Sequence, residues 1–323
     1  MTFAPLLALA LHGDGALVPH DLWRAWTWEP GQVTLLGLSG VLYARGALAM
    51  RRRRGVPPAE LTLFALGWIS LALALVSPIH ELGESLFSAH MVQHELLMAV
   101  AAPLLVLGRP LAPMLRGLPR SWRLALGALA RRPSVRRAWR WLSRPAVATA
   151  IQMLVLWIWH LPAVFSTVLV SDLAHAAQHA SFLGSALLFW WAMLGPRARR
   201  VHAGENVGWL FVTMLLTGAL GALLTLATVP WYPAYAARTA AWGVTPLEDQ
   251  QLAGLIMWVP AGTAYIAAAL WLFVCWLHEA ERQAVRHERE RDARERDARE
   301  RDARDRNAGE RRAPRAMHQS ALS

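Results

Sequence analysis

The 323-residue chain has a single cysteine and no lysine. One thiol, Cys275, excludes an internal disulfide framework and any Cys-x-x-Cys metal motif. Charge is scarce as well: 17% of residues are charged and 55% hydrophobic, against about 25% charged in soluble domains. That composition excludes a disordered chain and argues against a soluble enzyme. No P-loop, Gly-x-Ser-x-Gly elbow or Gly-rich dinucleotide fingerprint occurs, so nothing points to ordinary enzymology. All 33 basic residues are arginine and the formal net charge is +11. A basic balance often marks a nucleic-acid binder. Here the arginines lie between apolar runs, which points to membrane topology and to no nucleic-acid partner. Arginine used to the exclusion of lysine hints at a GC-rich bacterial genome.

What is present in quantity is apolar sequence. A helix of about 20 apolar residues spans the hydrocarbon core. Seven stretches qualify, over residues 31–50, 60–77, 86–108, 145–169, 173–194, 207–229 and 252–277. None alternates as a strand does, and a spanning segment must satisfy its own backbone, so helices are predicted. The expected fold is all-α, a polytopic seven-helix transmembrane bundle. Gly37 with Gly40, and Gly218 with Gly221, are small residues that let such helices approach closely.

Arginine sets the orientation, because cytoplasmic loops collect it. Arg51 to Arg54 follow the first stretch, Arg109 to Arg144 the third, and Arg197, Arg199 and Arg200 the fifth; the tail is rich in it. Only Arg24 and Arg238 fall on the other side. The N-terminus is therefore expected outside and the C-terminus in the cytoplasm. Residues 1–30 form an extracytoplasmic segment. Its run Phe3 to Leu11 is too short to span and lacks a basic n-region, so it reads as interfacial before a degenerate signal. Trp23, Trp26 and Trp28 suit an aromatic belt. Residues 31–278 form the membrane domain and residues 279–323 a charged cytoplasmic tail. Glu-Arg-Asp-Ala-Arg occurs there three times in succession, Glu290 to Arg304; close opposite charges favour a helix, and the end from Asn307 reads as disordered.

The histidines carry the sharpest pattern. His90 and His94 are four apart in the third stretch, and His175 and His179 four apart in the fifth. On a helix such residues stack on one face. His94 lies eight residues in from Leu86, about 12 Å deep, and His179 about 9 Å from its own end. Both pairs therefore sit in the outer leaflet. His160, just before Pro162, ends the fourth stretch on the same side, and His80 follows Pro78 in an outer loop. A lone membrane histidine reads first as a helix cap or hydrogen-bonding group, whereas His80 and His160 taken singly read equally well either way. Two pairs at one depth read as a polar funnel, and ionisable groups inside a membrane default to function. The imidazoles suit copper, zinc, iron or nickel, and thioether favours Cu(I). Met91, Met98 and Met257 lie on or near the same stretches, with Met98 four residues below His94. Haem held axially by histidine is the competing cofactor. Asp172 reads as an N-cap for the fifth stretch. Asp249 reads as an N-cap for the seventh or as an acceptor behind a ligating histidine.

Particular blocks resemble a known family. Ser77-Pro78-Ile79-His80, Leu86 to His94, Ala102 to Leu105 and Gly108-Arg109-Pro110 are similar to the CtaG-like assembly factors of caa-type cytochrome c oxidase. So are His160-Leu161-Pro162, the pair His175 and His179, Phe189-Trp190-Trp191, and Asp249 to Trp258. The resemblance covers about Trp23 to Leu277; the tail lies outside it. It implies a non-enzymatic, seven-span protein of the bacterial plasma membrane. Its expected partners are the lipid bilayer and respiratory oxidase subunits, and its expected work is to handle copper for the catalytic subunit. The name CtaG also denotes an unrelated single-span copper chaperone with a cysteine motif; with Cys275 alone, this chain is not of that kind. The candidate metal ligands are His90, His94, His175, His179, His160 and His80, with Met98 and Asp249 in lesser roles. Three other readings compete: a copper transporter or copper-tolerance protein, a haem-bearing redox protein, and a chaperone that binds no metal.

Overall fold

The computed structural model describes residues 17, 19–51, 55–196 and 203–319, and among them helices are the only regular elements. The expected interfacial run Phe3 to Leu11, His12, Arg52 to Arg54, the arginines at 197, 199 and 200, and His202 lie outside the described residues.

Proline opens most of the helices. α1 (Pro30–Met50), α2 (Pro58–Val76), α3 (Pro78–Ser85), α8 (Pro133–Leu142), α9 (Pro145–Trp159) and α10 (Pro162–Val168) each place proline in the first turn. There its missing N–H costs nothing and its fixed φ suits the helix. The third apolar stretch is not one uniform helix. It runs as α4 (Phe87–Glu95), a π-helical turn (Leu96–Ala101) and α5 (Ala102–Leu107). α6 (Leu111–Gly117) and α7 (Arg120–Arg131) carry the arginine-rich connection before α8. α11 (Asp172–Leu194), α12 (Ala203–Thr225) and α13 (Pro246–Gln319) follow.

Among the described residues five helices are long and apolar enough to cross a membrane: Pro30–Met50, Pro58–Val76, Phe87–Leu107, Ala203–Thr225 and the helix beginning at Pro246. The count rises to six if α8 and α9, bent by 70° at their junction, act as one span. Seven stretches are expected from the sequence, and the two that fall short do so for different reasons. The fourth breaks at His160, leaving α9 with 15 residues, about 22 Å against a core of about 30 Å. α11 has 23 residues but spends its first turns on Asp172, His175, Gln178 and His179.

The residues from Met1 to Phe273 make one compact unit and those from Val274 a second. In the first unit Trp190, Phe87, Phe165, Phe182, Phe189, Met91 and Leu97 are buried, whereas Leu35, Leu38, Phe211, Leu215 and Leu270 are exposed. Polar side chains such as Gln93, Gln178, Thr213 and Asn206 are buried as well. An apolar exterior around a partly polar interior reverses the soluble pattern and fits lipid as solvent.

Close backbone approach fixes two contacts. A Cβ on Gly254 of α13 would overlap Thr225 and the carbonyl of Gly221 on α12. A Cβ on Gly46 of α1 would overlap the Pro113 carbonyl of α6. Of the small residues singled out in the sequence, Gly218 and Gly221 lie against Trp258, Gly40 lies against Trp68, and Gly37 has open space.

In the second unit the residues are helical past Asn307, where the composition reads as disordered, to Gln319. Its exposed ion pairs include Arg291 with Glu295 at 3.6 Å and Arg304 with Glu300 at 3.7 Å, both i,i+4.

Candidate metal centre

Four short stretches deliver the histidines. α4 carries His90 and His94 one turn apart, and α11 carries His175 and His179. α9 ends on His160, and α3 carries His80 in its first turns. His80 thus sits on a short helix, not in the loop expected for it; Ser77 caps that helix by accepting from the Ile79 N–H at 3.3 Å. α11 is likewise capped by Ser171, which accepts from the Ala174 N–H at 3.3 Å. Ser171, not Asp172 as expected, is the N-cap; the carboxylate sits one residue into the first turn.

Asp249 departs from both roles expected of it. Its own helix is capped by Thr245 and Glu248, which exchange bonds as a capping box. The Asp249 carboxylate instead reaches across to α4. It accepts the backbone N–H of Phe87 at 2.6 Å, that of Ser88 at 3.1 Å, and the Ser88 hydroxyl. Leu86, the residue before α4, has no side chain to satisfy those N–H groups. A buried carboxylate from α13 supplies the acceptors and complements the helix dipole. Asp249 thereby holds the helix that bears His90 and His94.

The rings converge. His90 and His94 lie 4.3 Å apart centroid to centroid, and His175 and His179 lie 4.4 Å apart. Across the helices, His90 to His175 is 5.5 Å, His94 to His179 is 5.7 Å, His80 to His175 is 5.1 Å and His94 to His160 is 6.2 Å. Among the described residues two triads have ligand atoms within 4.8 Å of one another: His90, His94 and His179, all buried, and His80, His175 and His179. His179 belongs to both.

Hydrogen bonds set several tautomers. The Gln93 amide nitrogen donates to the Ala74 carbonyl at 2.7 Å and to His80 Nδ1 at 2.8 Å. A neutral His80 therefore carries its proton on Nε2, which faces Glu29 at 3.9 Å. Burial lowers the His80 pKa, opposed by the carboxylates of Glu29 and Glu81. His90 Nε2–H donates to Gln178 Oε1 at 3.1 Å. Both ring nitrogens of His94, and Nε2 of His175 and of His179, are buried with no hydrogen-bond partner. An unsatisfied buried polar group costs about 1–3 kcal/mol. The four lie on three rings, and each neutral ring can present one lone pair, so together they supply three of the donors a cation needs. The residues present therefore fit a metal ion. A cavity of ≈ 160 Å³ lined by Glu84, His90, Asp172, His175 and Arg238 opens beside the cluster.

Below the histidines the π turn leaves the Met98 carbonyl to accept from Trp190 Nε1 at 2.8 Å. The Met98 thioether accepts from the Gln152 amide at 3.3 Å, so one of its two lone pairs is engaged. Sequence reading passed over Gln178, Gln152 and Tyr232, whose hydroxyl donates to the His160 carbonyl at 2.7 Å. Gln178 and Gln152 carried a usable signal, an amide inside an apolar stretch. Tyr232 carried none.

Fold and site together define a class: a helical protein with several helices able to cross a membrane and a buried histidine cluster among them. The chain belongs to the cytochrome c oxidase caa3 assembly factor family (Caa3_CtaG), whose pattern matches residues 41–279. Among curated proteins it is similar to "Uncharacterized protein Mb0105" of Mycobacterium bovis, 29% identical over 273 residues, covering 79% of this chain and 40% of that one. "Uncharacterized protein ML1998" of Mycobacterium leprae is 26% identical over 263 residues, 77% of this chain and 39% of that one. The chain thus spans about two fifths of the length of the curated relatives it matches. No solved structure matches it.

Proposed function

We propose that this chain serves haem-copper oxidase assembly by taking copper into the histidine cluster from the outer face of the bacterial plasma membrane and passing it to an oxidase subunit. The observation that carries the reading is the four unpartnered imidazole nitrogens on His94, His175 and His179, buried in one place. The family supplies the client, an oxidase under assembly. Copper is cargo here, and the work of the protein is binding and release, without catalysis.

In this reading the chain crosses the membrane seven times with its N-terminus outside. α9 with α10, and α11, complete the set, and the polar turns of α11 are shielded by the other helices. The arginine distribution supports that orientation. The cluster then lies in the outer leaflet, with the carboxylates of Glu84 and Asp172 and the guanidinium of Arg238 at its mouth. Within the cluster, His90 keeps its Nε2 proton on Gln178 and offers Nδ1. His94 and His179 complete the inner triad. Imidazoles bind the ion without adding charge to the membrane interior. Rings packed about 4–6 Å apart and a cavity of ≈ 160 Å³ favour a bare ion over a porphyrin, since pockets for drug-sized ligands begin at about 300 Å³.

The test is copper per chain after anaerobic Cu(I) loading, with a His94→Ala/His179→Ala variant in parallel. The expected result is bound copper in the parent, none in the variant, and loss of oxidase activity in cells relying on the variant. No copper in the parent refutes the reading and leaves an assembly chaperone that binds no metal. Copper efflux or tolerance lost while oxidase stays normal assigns the cluster to transport instead.

A further inference from the structure

His160 and Met91 meet in a way that neither side chain accounts for alone. His160 closes α9, and its Nδ1 lies 2.7 Å from the carbonyl oxygen of Leu156. A carbonyl only accepts, so Nδ1 carries the proton and donates it. In the neutral ring Nε2 is then a bare lone pair. That lone pair faces Met91 Sδ at 3.5 Å. A thioether has no proton to give either. Both residues are buried, at 3% and 1% exposure. Two electron-pair donors from α9 and α4 thus face each other with nothing between them to share. A proton there would make an imidazolium inside a membrane, which is expensive.

We infer that Met91 Sδ and His160 Nε2 are ligands of a soft-metal site selective for Cu(I), set beside the inner triad and sharing His94 with it. The inference rests on the copper-handling reading above and deepens it by naming the oxidation state and a sulfur ligand. A first-row metal about 2.0 Å from an imidazole nitrogen and about 2.3 Å from a sulfur bridges a 3.5 Å gap at close to a tetrahedral angle. Thioether with imidazole prefers Cu(I) to harder divalent ions. Met98 is less free than Met91, because Gln152 already donates to one lone pair of its sulfur. His94 supplies the third ligand. Its ring lies 6.2 Å from that of His160, and both its nitrogens are unpartnered. The ion passes between triad and soft site by exchanging ligands around His94, remaining Cu(I) throughout.

The experiment is copper-edge X-ray absorption on the purified full chain, loaded anaerobically with Cu(I). A sulfur neighbour is expected in the parent and in Met98→Leu, and only nitrogen neighbours in Met91→Leu. Met91→Leu should still hold copper on the triad, with Cu(I) affinity at least about tenfold weaker and Zn(II) affinity unchanged. Selenomethionine-labelled parent chain, which needs no substitution, should show copper–selenium scattering in place of copper–sulfur. Copper bound with nitrogen alone in the parent, or a sulfur neighbour persisting in Met91→Leu, overturns the soft site while leaving the triad standing. No copper in the parent overturns both.

Discussion

The carboxylate of Asp249 accepts the backbone N–H of Phe87 at 2.6 Å, across 162 residues of sequence. A helix near the end of the chain thereby sets the position and rotation of α4, on which His90 and His94 ride. Charge-assisted bonds of this kind are worth about 1.5–3 kcal/mol each when buried. Asp249→Asn keeps the shape, removes the charge and presents an N–H₂ where acceptors are required. The expected outcome is a loss of about 2–4 kcal/mol in stability, read by thermal unfolding in detergent, with weakened copper binding. Unchanged unfolding would mean the clamp is dispensable.

The packing of α12 on α13 depends on Gly254. Gly254→Val overlaps Thr225 and the Gly221 carbonyl and should cost about 1–3 kcal/mol or more. At Gly208 on α12 an added Cβ would meet nothing within 4 Å, so Gly208→Ala should change stability by about 1 kcal/mol or less. Equal behaviour of the two variants in a detergent melt would contradict the close crossing.

Within the cluster the histidines should not be equivalent. His94 has two unpartnered nitrogens, whereas His80 Nδ1 is already held by Gln93. His94→Ala is expected to abolish Cu(I) retention on a desalting column. His80→Ala should retain it with affinity reduced by about tenfold, the effect of losing a supporting group. The reverse order would move the site to the His80, His175 and His179 triad.

The π turn gives Trp190 a specific partner. Trp190→Phe removes the bond from Nε1 to the Met98 carbonyl while keeping most of the ring volume. A cost of about 1–2 kcal/mol is expected, with copper stoichiometry intact. Loss of copper in this variant would show that the turn positions ligands as well as backbone.

The tail makes a separate unit from Val274 onward, and the residues of both histidine triads belong to the first unit. Truncation after Arg282 should leave the copper content per chain unchanged by elemental analysis. A drop in content would bring the tail into metal handling.

The sequence by itself determined that the chain is helical, where most of its helices lie, and which side chains are out of place in an apolar environment. Composition and apolar run length carry that information directly, because lipid demands it of each segment separately. Spacing alone put His90 with His94 and His175 with His179, since one helical turn relates each pair. Only the tertiary structure decided that Asp249 caps a helix 162 residues away, that Gln93 takes up His80 and leaves His94 open, and that His160 faces Met91. These contacts join different helices, and periodicity along one helix carries no information about the rotation of its neighbour. The break at His160 and the π turn after Glu95 were hidden for a related reason. Both are local departures from regular helix that packing partners such as Tyr232 and Trp190 stabilise, and those partners lie far away in the chain.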